Sequence, residues 1–78
     1  NNLKDQGAAH ISEALKNVNC KLIELNLSAN CIGDEGAEKL LEAFKNENRT
    51  LTEYNVEGNN IREEQLARLW NAFYKSCA

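Results

Sequence analysis

The sequence repeats itself with a period of 29 residues, and this feature limits the possible folds more than any other. When the 78-residue chain is shifted by 29 positions, Asn1 falls on Asn30 and then on Asn59. Identical or similar residues coincide at many further positions without a gap. A period of this length predicts stacked copies of one supersecondary unit, each of which buries its apolar face against its neighbours. The copies span residues 1–29, 30–58 and 59–78, the last of them partial.

Each copy combines two spacings of apolar residues. The alternation of Leu25 and Leu27 predicts a short strand with one buried face. The following apolar residues are spaced i, i+3, i+4 and i+7, which is typical of one helix face. They are Ala37, Leu40, Leu41 and Phe44 in one copy and Leu66, Leu69, Trp70 and Phe73 in the next.

The period therefore predicts an α/β fold of alternating helices and strands. We expect helices near 5–16, 34–46 and 63–75 and strands near 23–27 and 52–56. The strands should lie parallel and side by side, with the helices packed behind them.

The third helix carries larger apolar residues than the first. Two periods after Ser12 and Leu15, the equivalent residues are Trp70 and Phe73. The rest of its surface is polar. Because the last coil of a stacked array needs a polar outer side, we expect 59–78 to form a C-terminal cap in which Trp70 is buried.

The residues from Leu22 to Ala37 read L-x-x-L-x-L-x-x-N-x-I-G-D-E-G-A. This pattern resembles the leucine-rich repeat of the ribonuclease-inhibitor type, and the resemblance covers essentially the whole chain. It implies a solenoid, here a horseshoe segment, with parallel strands on the concave side and helices on the convex side. It also implies a non-enzymatic protein-interaction module without a cofactor, and we expect the chain to be part of a longer array.

Three asparagines recur where the chain turns away from each strand, at Asn1, Asn30 and Asn59. A side-chain amide can satisfy backbone groups that a turn leaves unpaired. We therefore interpret them as a structural asparagine ladder, since a catalytic role would not need one copy per unit.

The residues between the strand leucines point outward and would line the concave face. They are Glu24, Asn26 and Ser28 in one strand and Glu53, Asn55 and Glu57 in the next. We predict that this face binds a protein partner, and that its glutamates favour a partner with a basic surface. A solvated face without a ligand remains an equal alternative.

Composition narrows the function further. The net charge of -3 weakly disfavours nucleic acid as a partner, and no apolar stretch is long enough to span a membrane. Three irregularly spaced cysteines and the lack of a signal peptide favour a cytoplasmic protein with reduced thiols. No grouping of residues suggests a catalytic or metal site.

Two other functions stay open at the level of sequence. The first is regulation of a partner enzyme, such as GTPase activation, through the loop arginines Arg49 and Arg62. The second is a purely structural spacer. Because the strand that should precede Asn1 is absent, we also expect marginal stability or self-association through the open N-terminal edge.

Overall fold

Helices and strands alternate along the chain, as the spacing of apolar residues predicts. A computed structural model describes residues 2–17, 19–46 and 50–75. The elements in chain order are α1 (Lys4–Lys16), β1 (Glu24–Asn26), α2 (Asp34–Phe44), β2 (Glu53–Asn55) and α3 (Glu63–Lys75). Each helix begins within one residue of its predicted start, and α2 ends two residues earlier than predicted.

The two strands pair in parallel, and each residue of β1 lies opposite the residue 29 positions later in β2. Glu24 lies opposite Glu53, and Asn26 lies opposite Asn55. Each strand has three residues instead of the predicted five, one fewer at either end. Residues 29 positions apart therefore occupy the same slot in neighbouring units.

The core lies between the sheet and the helices. Phe44 and Phe73 are fully buried, and their ring centroids are 5.1 Å apart in an edge-to-face arrangement. The Tyr54 ring packs on both, with centroid distances of 4.8 Å and 4.7 Å. Aromatic pairs in this geometry add to the free energy of burial, so this cluster joins the last two units.

The helices stack in one row, with α2 between α1 and α3. Gly36 lies at the contact of α1 and α2, where an added Cβ would come within 2.8 Å of the Ile32 side chain and 3.0 Å of the Ala8 Cβ. A side chain at this position would hold the two helices apart. Gly36 is therefore required for close helix packing.

Trp70 differs from its expected burial, and Leu22 differs in burial from the residue one period later. Trp70, predicted to be buried, is 57% exposed, whereas Leu41 in the same slot of α2 is 4% exposed. Leu22 is 41% exposed, whereas Leu51 in its slot is 4% exposed. Trp70 and Leu22 face the two outer flanks of the stack, where the described chain supplies no neighbouring unit. The prediction that Trp70 is buried under a polar cap is wrong for this reason.

None of the helices seen in the described residues is both long and apolar enough to cross a membrane.

Candidate interaction surfaces

The predicted strand-face residues lie together on the outer side of the two strands. We call this surface the polar strand face; its members are Glu24, Asn26, Ser28, Glu53, Asn55 and Glu57. The four residues Glu24, Asn26, Glu53 and Glu57 are exposed, and the other two are partly exposed. A shallow depression of about 180 Å³ lies along the paired residues of both strands.

Two asparagines of the polar strand face also stabilise the turns that follow the strands, through side-chain hydrogen bonds. The side-chain oxygen of Asn26 accepts hydrogen bonds from the Ser28 backbone N–H at 3.0 Å and from the Ser28 hydroxyl at 2.7 Å. The side-chain oxygen of Asn55 accepts one from the Glu57 backbone N–H at 2.9 Å. Such turns are common for asparagine, and the repetition of Asn at this slot was the signal for them. The amide oxygens are thus used within the fold, whereas the amide N–H groups make no hydrogen bond in the part of the chain that the structure describes.

The glutamates give the polar strand face its charge. Glu24 and Glu53 are direct neighbours across the sheet, and Glu57 extends the acidic margin beyond the end of β2. Like charges opposite each other destabilise a sheet. The pair therefore does not stabilise the sheet.

Asn59 connects two units through its side-chain amide. Its oxygen accepts hydrogen bonds from the backbone N–H groups of Asn30 and Ile32, both at 2.9 Å. Its nitrogen donates to the carbonyl oxygens of Leu27 and Val56, both at 2.9 Å. These contacts satisfy backbone groups that the turns leave without a ladder partner.

Asn30 makes fewer contacts than Asn59. Its amide nitrogen donates to the Ser28 carbonyl at 3.1 Å, but its buried side-chain oxygen has no partner among the described residues. The Asn59 oxygen accepts from the residues 29 and 27 positions before it. The equivalent donors for Asn30 would be the backbone N–H groups of Asn1 and Leu3. Asn1 itself lies outside the described residues.

Carboxylates connect successive units in a way that the sequence reasoning missed. One Asp5 oxygen accepts hydrogen bonds from the N–H groups of Gly33 at 2.6 Å and Gly36 at 3.0 Å, at the start of α2. Asp34, one period later, accepts the backbone N–H of Arg62 at 2.9 Å and pairs with its guanidinium. These two contacts with Arg62, the backbone one foremost, lower the pKa of Asp34. The recurrence of Asp at positions 5 and 34 was the available signal.

A second polar link joins α2 to α3. The Glu38 carboxylate accepts hydrogen bonds from Gln65 at 3.1 Å and from Arg68 at 2.9 Å. The Gln65 amide, and after it Arg68, lower the pKa of Glu38. Gln65 occupies the slot of Gly36 and is buried, so a hydrogen bond between helices replaces close packing at this interface.

A larger groove lies on the C-terminal flank, between the outer edge of β2 and α3. We call it the flank groove; its volume is about 680 Å³. Glu53 and Glu57 line it on the strand side, and Leu66, Trp70 and Tyr74 form the wall on α3. These three apolar residues lie at i, i+4 and i+8, and all are partly or largely exposed. The sequence reasoning missed this surface because it assigned Trp70 to the core.

The residues considered for other activities lie only partly in the described ranges. Arg62 is engaged by Asp34, and Arg49 lies outside the described residues. No disulfide links Cys20 to Cys31, and Cys77 is outside the described residues. In the described ranges no three His, Cys, Asp or Glu side chains are placed to hold a metal ion.

A comparison with known protein families finds a match for one part of the chain. Residues 18–41 match the protein family described as Leucine Rich repeat. The match includes β1 and most of α2. A search of curated proteins gives no match for the chain. This match supports a leucine-rich repeat within residues 18–41, and repeats of this kind suggest a protein-interaction module.

Proposed function

We propose that the chain is a protein-interaction module that binds a basic protein surface through the polar strand face. The observation that carries this proposal is the register that sets Glu24 directly opposite Glu53. On strands about 4.8 Å apart, two like charges directly opposite each other are unfavourable. A lysine or arginine of a partner placed between them relieves this repulsion and gains two attractive contacts.

The asparagines of the same face give the partner a second kind of contact. The amide N–H groups of Asn26 and Asn55 are not used by the turns, so they can donate to carbonyl or carboxylate oxygens of a partner. The short strands and the turn hydrogen bonds fix these side chains in place. A fixed set of polar groups loses little conformational entropy on binding.

The repeat belongs, in this proposal, to the ribonuclease-inhibitor type, and its strand face is the concave side of a horseshoe. The 29-residue register of β1 on β2 and a helix of 11 or 13 residues in each unit support this assignment. We also propose a cytoplasmic location, which the irregular spacing of the three cysteines supports, since it is a poor framework for the disulfides of secreted proteins.

The test compares two double variants of equal charge. Glu24→Gln with Glu53→Gln removes the charge of the strand face, and Glu35→Gln with Glu64→Gln removes the same charge from the exposed starts of α2 and α3. Proteins captured by the wild-type chain are identified, and their association rates are measured at low and high salt. We expect the first variant to lower the rate and its salt dependence, and the second to leave both near wild type. An unchanged rate for the strand-face variant contradicts the proposal.

Self-association through the N-terminal edge is a further part of the proposal. Ile23 and Leu22 are exposed beside β1, whose outer edge carries no strand in the described chain. Unpaired strand edges next to apolar side chains favour association of chains. Sedimentation equilibrium of wild type and Ile23→Lys tests this: a dimer should form at high concentration only with the wild-type chain. A wild-type chain that stays monomeric contradicts it.

A further inference from the structure

The contact between α1 and α2 is close, because small residues face each other there. Ala8 of α1 is fully buried and lies against Gly36 of α2, where an added Cβ would come within 3.0 Å of the Ala8 Cβ. One oxygen of Asp5 also reaches two N–H groups at the start of α2, those of Gly33 and Gly36. The start of α2 is therefore held tightly against α1.

The contact between α2 and α3 uses the same repeat slots with a larger side chain. Gln65 occupies the slot of Gly36, and the period places it opposite Ala37. Its side chain is only 7% exposed, and its amide donates to Glu38 of α2 at 3.1 Å. The axes of packed helices lie about 8–10 Å apart, depending on the side chains at the contact. A buried glutamine in place of a glycine therefore sets α3 further from α2 than α2 lies from α1.

The hydrogen bonds at the start of α3 point to the same difference in spacing. Asp34 occupies the slot of Asp5, and it accepts the backbone N–H of Arg62 at 2.9 Å while its second oxygen pairs with the Arg62 guanidinium. The N–H of Gln65 is the counterpart of the Gly36 N–H, but it donates to the Arg62 carbonyl at 3.0 Å. Asp5 thus bridges two N–H groups of the next helix, whereas Asp34 contacts the first residue of its bridge alone.

The strands of the same two units keep the ordinary ladder spacing. The N–H of Leu27 donates to the Asn55 carbonyl at 2.7 Å, and the N–H of Ala29 donates to the Glu57 carbonyl at 2.9 Å. Strands paired in this way lie about 4.8 Å apart. A stack that is wider at its helices than at its strands must bend, with the strands on the inner side of the bend.

We propose that Gln65 acts as a wedge between α2 and α3, and that this side chain sets the angle at which β2 follows β1. Arg68 donates to Glu38 at 2.9 Å and to the Gln65 side-chain oxygen at 3.0 Å, so both ends of the glutamine amide are fixed. The bend turns the outward side chains of Glu24 and Glu53 toward each other. The inference concerns the shape of the polar strand face and does not depend on whether a partner binds there.

A distance across the three helices tests the wedge. Glu13 on α1 and Asn71 on α3 are exposed and share one repeat slot, so each is replaced by a spin-labelled cysteine in a chain whose native cysteines are changed to serine. We expect Gln65→Gly to shorten the distance between the labels by about 1–2 Å, measured by pulsed electron paramagnetic resonance. Glu64→Gly places a glycine at the exposed neighbouring position and should leave the distance unchanged. An unchanged distance in Gln65→Gly, or equal shortening in both variants, overturns the proposal.

Two further variants separate the volume of the side chain from its hydrogen bonds. Gln65→Met keeps a side chain of similar length without the amide, and the distance between the labels should stay near that of the wild type. Gln65→Ala retains a good helix former and should shorten the distance, so it replaces Gln65→Gly if that variant does not fold. Shortening by Gln65→Met as large as that by Gln65→Ala would show that the side chain is not a spacer, and it would overturn the proposal.

Hydrogen exchange tests whether the change is confined to the helices. The Leu27 N–H belongs to the strand ladder and reports on the pairing of β1 with β2. We expect this amide to exchange at the same rate in Gln65→Gly and in Glu64→Gly, because the wedge acts on the helix side alone. Faster exchange in Gln65→Gly than in its control would show that the strands separate as well, so the stack would not bend about a fixed ladder and the proposal would fail.

Discussion

The middle of the helix row and its two flanks contain residues in the same repeat slots, yet their burial differs greatly. Leu41 is buried in the interior of the stack, whereas Trp70, one period later, faces solvent. Leu51 is buried, whereas Leu22, one period earlier, is exposed. The slot fixes the direction in which a side chain points, and the presence of a neighbour decides whether it is buried. The period therefore predicts the interior units well and the terminal surfaces poorly.

The largest effect should come from the aromatic cluster of the interior. Phe44→Ala removes the ring that packs on Tyr54 and Phe73 and leaves a cavity in a fully buried site. We expect a loss of about 3–5 kcal/mol in the free energy of unfolding, measured by urea denaturation. A loss below about 1 kcal/mol would contradict the description of this cluster as the core.

The asparagine ladder should show the same contrast between interior and flank. Asn59→Ala removes three hydrogen bonds to residues about one period earlier and two local ones, and should cost about 2–4 kcal/mol in unfolding free energy. Asn30→Ala removes one donor and an oxygen without a partner among the described residues, so its cost should stay near 1 kcal/mol. Equal losses in the two variants would show that the inter-unit contacts add nothing.

Gly7 in α1 and Gly36 in α2 occupy the same repeat slot, so they allow a second comparison of the flank with the interior. An added Cβ would come within 2.7 Å of the Asp5 carboxylate and 2.8 Å of the Ile32 side chain at Gly36, and within 2.7 Å of the Leu3 Cβ at Gly7. Ile32 is fully buried and cannot move away, whereas Leu3 is exposed and precedes α1, so it can shift. We expect Gly36→Ala to cost about 1–3 kcal/mol. Gly7→Ala should change stability by less than about 1 kcal/mol, since Leu3 is partly exposed and alanine favours the helix. Thermal unfolding of both variants measures the difference.

The carboxylates that join the units predict a loss of stability in acid. Asp34 and Glu38 have folded-state pKa values below their ordinary ones. Each therefore stabilises the fold above its unfolded pKa of about 4, and this stabilisation is lost as the pH falls through the lower folded-state pKa. The urea midpoint should fall between about pH 4.5 and pH 3, and Asp34→Asn should reduce this pH dependence. Glu35→Gln, which changes an exposed neighbour, should leave it unchanged.

The smallest expected change is at the exposed tryptophan. Trp70→Ala should cost less than about 1 kcal/mol, whereas Leu41→Ala in the same slot should cost about 2–4 kcal/mol. Urea denaturation followed by circular dichroism measures both without relying on tryptophan fluorescence. A cost above about 3 kcal/mol for Trp70→Ala would restore the interpretation of α3 as a cap with a buried tryptophan.

The repeat unit and the order of its elements can be predicted from the residues alone. The alternation at Leu25 and Leu27 and the helical spacing from Ala37 to Phe44 predict the elements, and the period predicts the register of Glu24 on Glu53. These are local or periodic properties, because the backbone of each unit follows from its own spacing of apolar residues and the strand register follows from the period. The six residues of the polar strand face follow from the same alternation, although the turn contacts of Asn26 and Asn55 do not.

Which surfaces remain open depends on tertiary packing. The exposure of Trp70 and Leu22 depends on whether another unit lies beside them, which no local pattern of residues contains. The contacts of Asp5 with α2 and of Asp34 with Arg62 also connect residues about one period apart, and their geometry depends on how closely the helices stack. The flank groove exists because large side chains on α3 meet an unpaired strand edge, and burial of this kind is a property of the assembled stack.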